Sequence, residues 1–249
     1  MALLTTKQVA ARIAIIIAVA EFLIMLLLSV LPIESGTYIQ DVIDTTLLVA
    51  LSTPAIYVWV IKPFVDARDE ALAKINHLAH TDPLTQLANR RLISEHLIKI
   101  IASSVRHKDH GAVLLIDLDG FKLVNDSHGH EAGDAVLVAI AERLRSIVRI
   151  EDVVGHLVGR LGGDEFIVLI HRLGADEQIA RDRTLIVAEK LINSISQPVE
   201  YHGRQLKIGA SIGIRLLGFE RLDTETAISE ADIAMYHAKT AGKGRAVFF

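Results

Sequence analysis

AVLLIDLDGFKLVND, residues 112–126, opens with an apolar run, Ala112–Leu118, broken by a single carboxylate. So continuous a run predicts a central strand buried on both faces. Downstream, Val153–Leu161 and Phe166–Ile170 are strand-like runs on either side of Gly162-Gly163-Asp164-Glu165. A four-residue connection with two glycines predicts a tight antiparallel hairpin. Helical spacing of apolar residues marks Arg90–Arg106, Ala132–Val148, Ala175–Ser196 and Thr224–Thr240, while Gln205–Leu217 and Ala246–Phe249 read as strands. Asp82-Pro83 reads as a turn or helix start. Helices and strands alternate but include hairpins, so the expected class is α+β with a mostly antiparallel sheet. The stretch 81–249 is long enough for one core.

Working outward, the rest of the chain has a different character. Of 249 residues 51% are hydrophobic, mean hydropathy is +0.39, and the excess sits at the front. Ile13–Leu31 is broken only by Glu21 and Ser29, and Thr45–Ile61 is uncharged with Pro54 inside. Each run is about the length a helix needs to cross a bilayer core of roughly 30 Å. A signal peptide would have a shorter apolar region and a small-residue cleavage site. Lys7 and Arg12 precede the first run, Lys62 and Arg68 follow the second, and the loop 32–44 carries acids but no Lys or Arg. The positive-inside rule then puts both ends in the cytoplasm and the loop outside. Glu21 reads either as a switch or protomer contact, or as a protonated carboxyl bonded to a Ser or Thr of the neighbouring span. Lys62–His80 is a charged connector with Val65, Leu72, Ile75 and Ala79 on one side of a helix. That stripe suits either a short coiled coil between two copies or a plain amphipathic linker.

Composition also excludes chemistry. No cysteine is present, so there is no disulfide framework, thiol nucleophile or Cys-built metal site, and a net charge of −4 makes no case for nucleic acid. What remains is a set of acids and lysines. Asp117 and Asp119 lie at the end of the central run, and Asp164 and Glu165 at the hairpin tip, where the glycines let a backbone approach a ligand. If the two strands are neighbours, these carboxylates meet. Clustered hard oxygens without His or Cys suit Mg²⁺, which commonly holds phosphates. Lys122, Lys239 and Lys243 can answer the remaining phosphate charge, the last two sharing a helix face if the final helix runs that far. The rival reading of the hairpin is a surface turn with solvated acids.

RLGGDEF at Arg160–Phe166 resembles the signature of the GGDEF diguanylate cyclases, as do DPLTQLANRR (82–91), DLDGFKLVNDSHGHEAGD (117–134) and ADIAMYHAKTAGKGR (231–245), all in the family's order. The resemblance implies a ferredoxin-like, nucleotide-cyclase-type fold after a two-helix transmembrane hairpin. It implies a homodimer in which each protomer holds one GTP, and condensation of the two into cyclic di-GMP with release of two pyrophosphates. Carried over residue by residue, Asp117, Asp164 and the Leu118 carbonyl would bind Mg²⁺, two ions per site, with Mn²⁺ as a substitute. Asn125 and Asp134 would read the guanine edge, and His130 would lie at the substrate. Phe121, Lys122, Gly162, Gly163, Lys239 and Lys243 would lie at the substrate as well, the lysines reaching its phosphates. Asp164 would accept the 3′-hydroxyl proton, supported by Glu165.

The implied organisation is a hairpin over 1–61, a signalling linker over 62–80 and a cyclase domain over 81–249, multi-pass in a bacterial inner membrane with the catalytic domain cytoplasmic. A membrane or periplasmic partner would supply the signal. One departure concerns product inhibition. The Arg149-x-x-Asp152 letters are present, but nine residues separate Asp152 from Gly162, more than the family pattern has. The alternative function is a membrane-tethered module that binds GTP or cyclic di-GMP without catalysis. Gly209-Ala210-Ser211-Ile212-Gly213 matches a nucleophile elbow in letters only, since it lies inside a strand run.

Overall fold

In the computed structural model, which describes residues 6–30, 38–150 and 156–249, the chain divides into two units, Met1–Asn76 and His77–Phe249.

The first unit consists of α1 (Thr6–Val30), α2 (Tyr38–Ile56), a π-helical turn (Tyr57–Ile61) and most of α3 (Lys62–His80). Two stretches, Lys7–Leu27 and Val42–Leu72, are long and apolar enough to cross a membrane by length and composition. The helices overrun the apolar runs of the sequence because a charged residue does not end a helix. As a result α2 begins inside the loop expected over 32–44; residues 31–37 lie outside the described ones. Thr46 and Ser52 donate their hydroxyls to Val42 O and Leu48 O of their own helix, 2.7 and 2.6 Å away. Glu21, read either as a switch or protomer contact or as a carboxyl bonded to a Ser or Thr of the second span, is exposed and makes no such bond among the described residues. Val65 and Leu72 of the connector stripe are exposed; the Ile75 side chain lies outside the described residues.

The second unit adds α4 (Arg90–His107), β1 (Gly111–Asp119), α5 (Phe121–His128), α6 (His130–Ile150), β2 (Leu157–Gly162), β3 (Glu165–Ile170), α7 (Glu177–Ile195), β4 (Val199–Tyr201), β5 (Arg204–Leu206), β6 (Gly209–Leu217), α8 (Thr224–Thr240) and β7 (Ala246–Phe248). Five strands form one sheet in the order β2-β3-β1-β6-β7, antiparallel except for the parallel β6–β7 pair. The helices begin where short polar side chains can cap them: Asn89 accepts from Leu92 N, Asp176 from Ile179 N and Asp223 from Thr226 N.

Period-two alternation along β1 divides the core. Leu114, Ile116 and Leu118 pack with Phe166, Val168, Ile212 and Ile214 under α5, α6 and α7. Val113 and Leu115 pack with Ile167 and Leu169 under α4 and α8. Both faces are covered, which is why the run Ala112–Leu118 is nearly all apolar. On the second face α8 lies very close to β6. A Cβ built on Gly213 would sit 2.0 Å from Ala231 O and 2.3 Å from Met235 N.

Some expected boundaries are corrected. The hairpin connection is tighter than four residues, because Gly162 already pairs with Glu165 after an irregularity following Arg160. Strand β2 starts at Leu157, and residues 151–155 lie outside the described ones. Gln205–Leu217 is two strands, not one: β5 pairs with β4, and the chain then turns into β6. Phe121–His128, unassigned from sequence, is a helix too short for its apolar period to register. Asp119 belongs to the strand, whereas Lys243 lies three residues beyond the end of α8 and so does not share its face with Lys239.

Gly213→Ala is expected to lower unfolding free energy by about 3 kcal/mol, since backbone rather than a flexible side chain blocks the new methyl. Urea titration followed by circular dichroism checks this, and an unchanged midpoint would contradict the close packing.

Candidate active site

Strand register builds the site. Asp117 of β1 pairs directly with Glu165 of β3 on one side and with Ser211 of β6 on the other. Paired residues of antiparallel strands point to the same sheet face, so Asp117, Glu165 and Ser211 share the face that carries α8. The last turn of α8 returns Lys239 to that point, with Nζ 2.7 Å from Asp117 Oδ2. Asp164 is brought in from the hairpin tip, where Leu118 N donates to Asp164 O at 3.4 Å. The sequence thus places Asp117, Leu118, Asp164, Glu165 and Lys239 together, as expected.

The electrostatics of this cluster are unbalanced. Burial, then the neighbouring Asp117 carboxylate, raise Asp164 above the ordinary Asp range, with Lys239 and Arg160 opposing. Burial again, then Asp117, Asp232 and Asp164, raise Glu165, with Arg90 opposing. A cleft of about 710 Å³ opens beside Glu165, lined by Arg90, Ser94, Ser229 and Asp232 among others. Among the described residues no three metal-ligating side chains converge. Two carboxylates and a main-chain carbonyl nonetheless fit a hard divalent cation that keeps water and phosphate as its other ligands. Burial and then the repulsion among these acids raise Asp164 and Glu165, and such a cation would oppose both effects.

The other expected residues surround the end of β1. Gly120, with φ +86°, turns the chain into α5 and is its N-cap. The Phe121 ring is buried in the core, while Lys122 is exposed. Asn125 lies where α5 meets α6, with its Oδ1 only 1.9 Å from the place a Cβ on Gly133 would take. His130 and Asp134 are exposed and one turn apart on α6. Lys243 is exposed in the turn after α8, with φ +63°. Arg149 lies at the end of α6, and Asp152 lies outside the described residues.

The sequence reading missed what holds the hairpin. Arg160 donates through Nε and Nη2 to Gly163 O, at 3.0 and 2.7 Å, and through Nη1 to Asp82 Oδ1 at 3.1 Å. That Asp82 oxygen also accepts from Thr85 N and Thr85 Oγ1. Burial pushes Asp82 up, but the Thr85 hydroxyl and N–H and the Arg160 guanidinium outweigh it and hold the carboxyl below the ordinary 3.8. An Asp-Pro-x-Thr turn is a legible signal for the Thr85 contacts, but not for Arg160, far along the chain.

The profile of the family described as "Diguanylate cyclase, GGDEF domain" matches residues 79–245. The chain belongs to the GGDEF diguanylate cyclase family. The bifunctional diguanylate cyclase/cyclic di-GMP phosphodiesterase MucR of Pseudomonas aeruginosa is 39% identical over 82% of this chain and 30% of its own length. The diguanylate cyclase TpbB of Pseudomonas aeruginosa is 40% identical over 69% of this chain and 38% of its own. The chain therefore spans about a third of either relative. The solved GGDEF domain of TpbB superposes with a TM-score of 0.61 at 36% identity, over 68% of this chain and 94% of that one. Against this GGDEF fold, the mixed sheet and its flanking helices are as expected.

Asp82→Asn is expected to destabilise the GGDEF unit by about 1–3 kcal/mol at neutral pH, because it weakens a charge-assisted bond to Arg160. Since Asp82 titrates below 3.8 in the folded state, its contribution is present above that value and lost as pH falls through the folded one. Urea midpoints of wild type and variant should therefore converge in acid. A gap that persists there would show that the carboxylate charge is not what matters.

Proposed function

We propose that this protein is a membrane-attached diguanylate cyclase that condenses two GTP into cyclic di-GMP and two pyrophosphates between two facing copies of its GGDEF unit. The observation that carries this is the junction of Asp117, Asp164, Glu165 and Lys239 at one end of the sheet, formed by strands that both end there. The relatives named as diguanylate cyclases support it. Family members bind GTP and cyclic di-GMP, work as dimers and use a divalent metal.

In this reading Asn125, His130 and Asp134 receive the guanine end at the α5–α6 crossing. Phe121 and Lys122 meet the phosphates at the start of α5, and Lys239 and Lys243 meet them from the end of α8 and the turn after it. Gly162 and Gly163 leave the hairpin tip free of side chains, so that the nucleotide can lie against its backbone. Mg²⁺ or Mn²⁺ held by Asp117, Asp164 and the Leu118 carbonyl would lower the pKa of the attacking hydroxyl and stabilise charge on the α-phosphate. Asp164 takes the proton of one nucleotide's 3′-hydroxyl as that oxygen forms its bond to the partner nucleotide's α-phosphorus and pyrophosphate leaves. Glu165 keeps negative charge beside it. The same exchange on the other side closes the ring.

Neither half-site holds both nucleotides, so the rate depends on how the protomers face each other. Residues 1–61 would anchor the protein in a bacterial inner membrane with the GGDEF unit cytoplasmic. The linker 62–80 would then carry orientation from the membrane, or from a partner there, to the cyclase.

Full-length protein in detergent, incubated with GTP and Mg²⁺, should yield cyclic di-GMP on chromatography. Asp164→Ala should reduce the rate by about 10³-fold or more. A folded dimer that binds GTP and yields no product, with or without Asp164, would replace the enzyme by a binding module.

A further inference from the structure

Asp119, the second acid of the β1 end, has its hydrogen-bond partners away from the hairpin. Ser211, fully buried in β6, donates its hydroxyl to Asp119 Oδ1 and Oδ2 at 3.1 and 2.9 Å. Gly244 donates its backbone N–H to Asp119 Oδ2 at 3.3 Å, across most of the domain's sequence. Oδ2 therefore bridges Ser211 of the sheet and Gly244 of the turn between α8 and β7.

That turn is unusual. Gly242, Lys243 and Gly244 have φ of +110°, +63° and +59° in succession. A lysine in the left-handed region costs about 1–2 kcal/mol and persists only where its surroundings enforce it. The turn is tied at both ends by main chain, Lys243 N to Ala238 O at 3.0 Å and Ile212 N to Arg245 O at 2.9 Å. Between those ties, among the described residues, Asp119 is the one side chain that accepts from it. The Lys243 side chain is exposed and makes no ion pair among the described residues. A cation whose backbone is held in a strained shape while its head stays free is arranged for a ligand, not for stability.

We propose that Asp119 is a positioning residue for substrate binding: fixed by Ser211, it holds the 241–245 turn through Gly244 so that Lys243 presents its ammonium to the nucleotide's phosphates beside Lys239. This rests on the reading of the site as a GTP site. It separates the roles of the two acids of the β1 end. Asp117 faces the hairpin acids and Lys239, whereas Asp119 acts on substrate through a loop.

The test is a double-mutant cycle on the full-length protein in detergent. Binding is measured with 3′-deoxy-GTP and Mg²⁺, which cannot react for want of the attacking hydroxyl, and turnover is measured with GTP. Lys243→Ala and Asp119→Ala are each expected to weaken binding about tenfold, the loss of one charge-assisted contact. The double variant should be no weaker than either single variant, because both remove the same interaction. Asp119→Asn keeps an amide oxygen for the Gly244 N–H. It should bind within about threefold of wild type, well inside the effect of losing that bond outright, with an unchanged Mg²⁺ requirement. Losses that multiply to about a hundredfold would overturn the proposal. So would an Asp119→Asn protein that needs more Mg²⁺, since that marks a metal ligand. Should Asp119→Ala not fold, Asp119→Asn and its Mg²⁺ titration still decide. A wild type that binds the analogue but makes no product fails the catalytic reading alone, and the cycle still decides for or against Asp119. A wild type that binds no analogue fails both.

Discussion

The antiparallel pairing of β1 with β3 is the constraint on which the site depends. Its register sets Asp117 opposite Glu165 and Ile116 opposite Phe166. Because side chains alternate with period two, a slip of one residue would bury the acids among Leu114, Phe166 and Val168 and bring apolar residues to the site. The apolar residues of both faces therefore specify where the carboxylates go. Large side chains with essentially no exposure, Ile116, Leu118, Phe166 and Ile167 among them, lie within three residues of an acid of the site. The core sets the register, and the register sets the chemistry.

That arrangement has a cost within the unliganded domain. Asp117, Asp164 and Glu165 lie near enough at the strand ends and the hairpin tip to feel one another's charge, and one lysine is bonded to Asp117. Groups raised in the folded state oppose folding above their ordinary pKa, so Asp164 and Glu165 destabilise the empty domain near neutrality. In the proposed reading, a cation and a nucleotide phosphate bound there would reverse that sign. The hairpin needs a separate support in the meantime, and Arg160 supplies it by gripping Gly163 O from inside the strand. Asp82 in turn grips Arg160. Arg145 of α6 adds Nη2 contacts to Thr85 O and Gln86 O, and Asn89 bonds Ala79 O and His80 O at the end of α3. The last turn of α3, the 82–87 turn and the hairpin tip thus form one hydrogen-bonded chain within the GGDEF unit.

Local signals made much of this legible. The β1 run, the two glycines before Asp164 and the helical period of 224–240 each state a structure within a few residues of themselves. Those parts appeared where the sequence put them, and the junction of the β1 acids with the hairpin followed once the strands were neighbours. Illegible were the features that depend on distant approach. Gly213 reads as one more residue of a strand until α8 packs on it, and Gly133 as a helix interior until Asn125 needs its space. Lys243, four residues after Lys239, suggests a shared helix face. It loses that face because Gly242 lies between them and adopts a conformation that ends the helix. Asp119 drew attention for the wrong reason, its nearness to Asp117, when its partners are Ser211 and Gly244. The positions proposed to read guanine rest on the resemblance and on their place at the α5–α6 crossing, because no local pattern encodes a base edge.

The N-terminal unit poses the converse problem, since its sequence reads as two uniform apolar spans. Pro54 cannot donate a hydrogen bond to the preceding turn, and three residues later the helix widens into the π turn Tyr57–Ile61. A wide turn accommodates one more residue than an α turn, which rotates everything after it by roughly 100° relative to an unbroken helix. It also loosens the carbonyl ladder, and Arg12 of α1 donates to Trp59 O at 3.0 Å in that turn. The cation that the positive-inside rule counts is thus also a hydrogen-bond donor to the neighbouring helix at its π turn. The stripe of Val65 and Leu72 begins just past this turn. Its direction around the helix axis is therefore set by the local winding at 57–61 as well as by the spacing of the residues themselves. A heptad count carried straight through from Thr45 would place the stripe about 100° away around the axis.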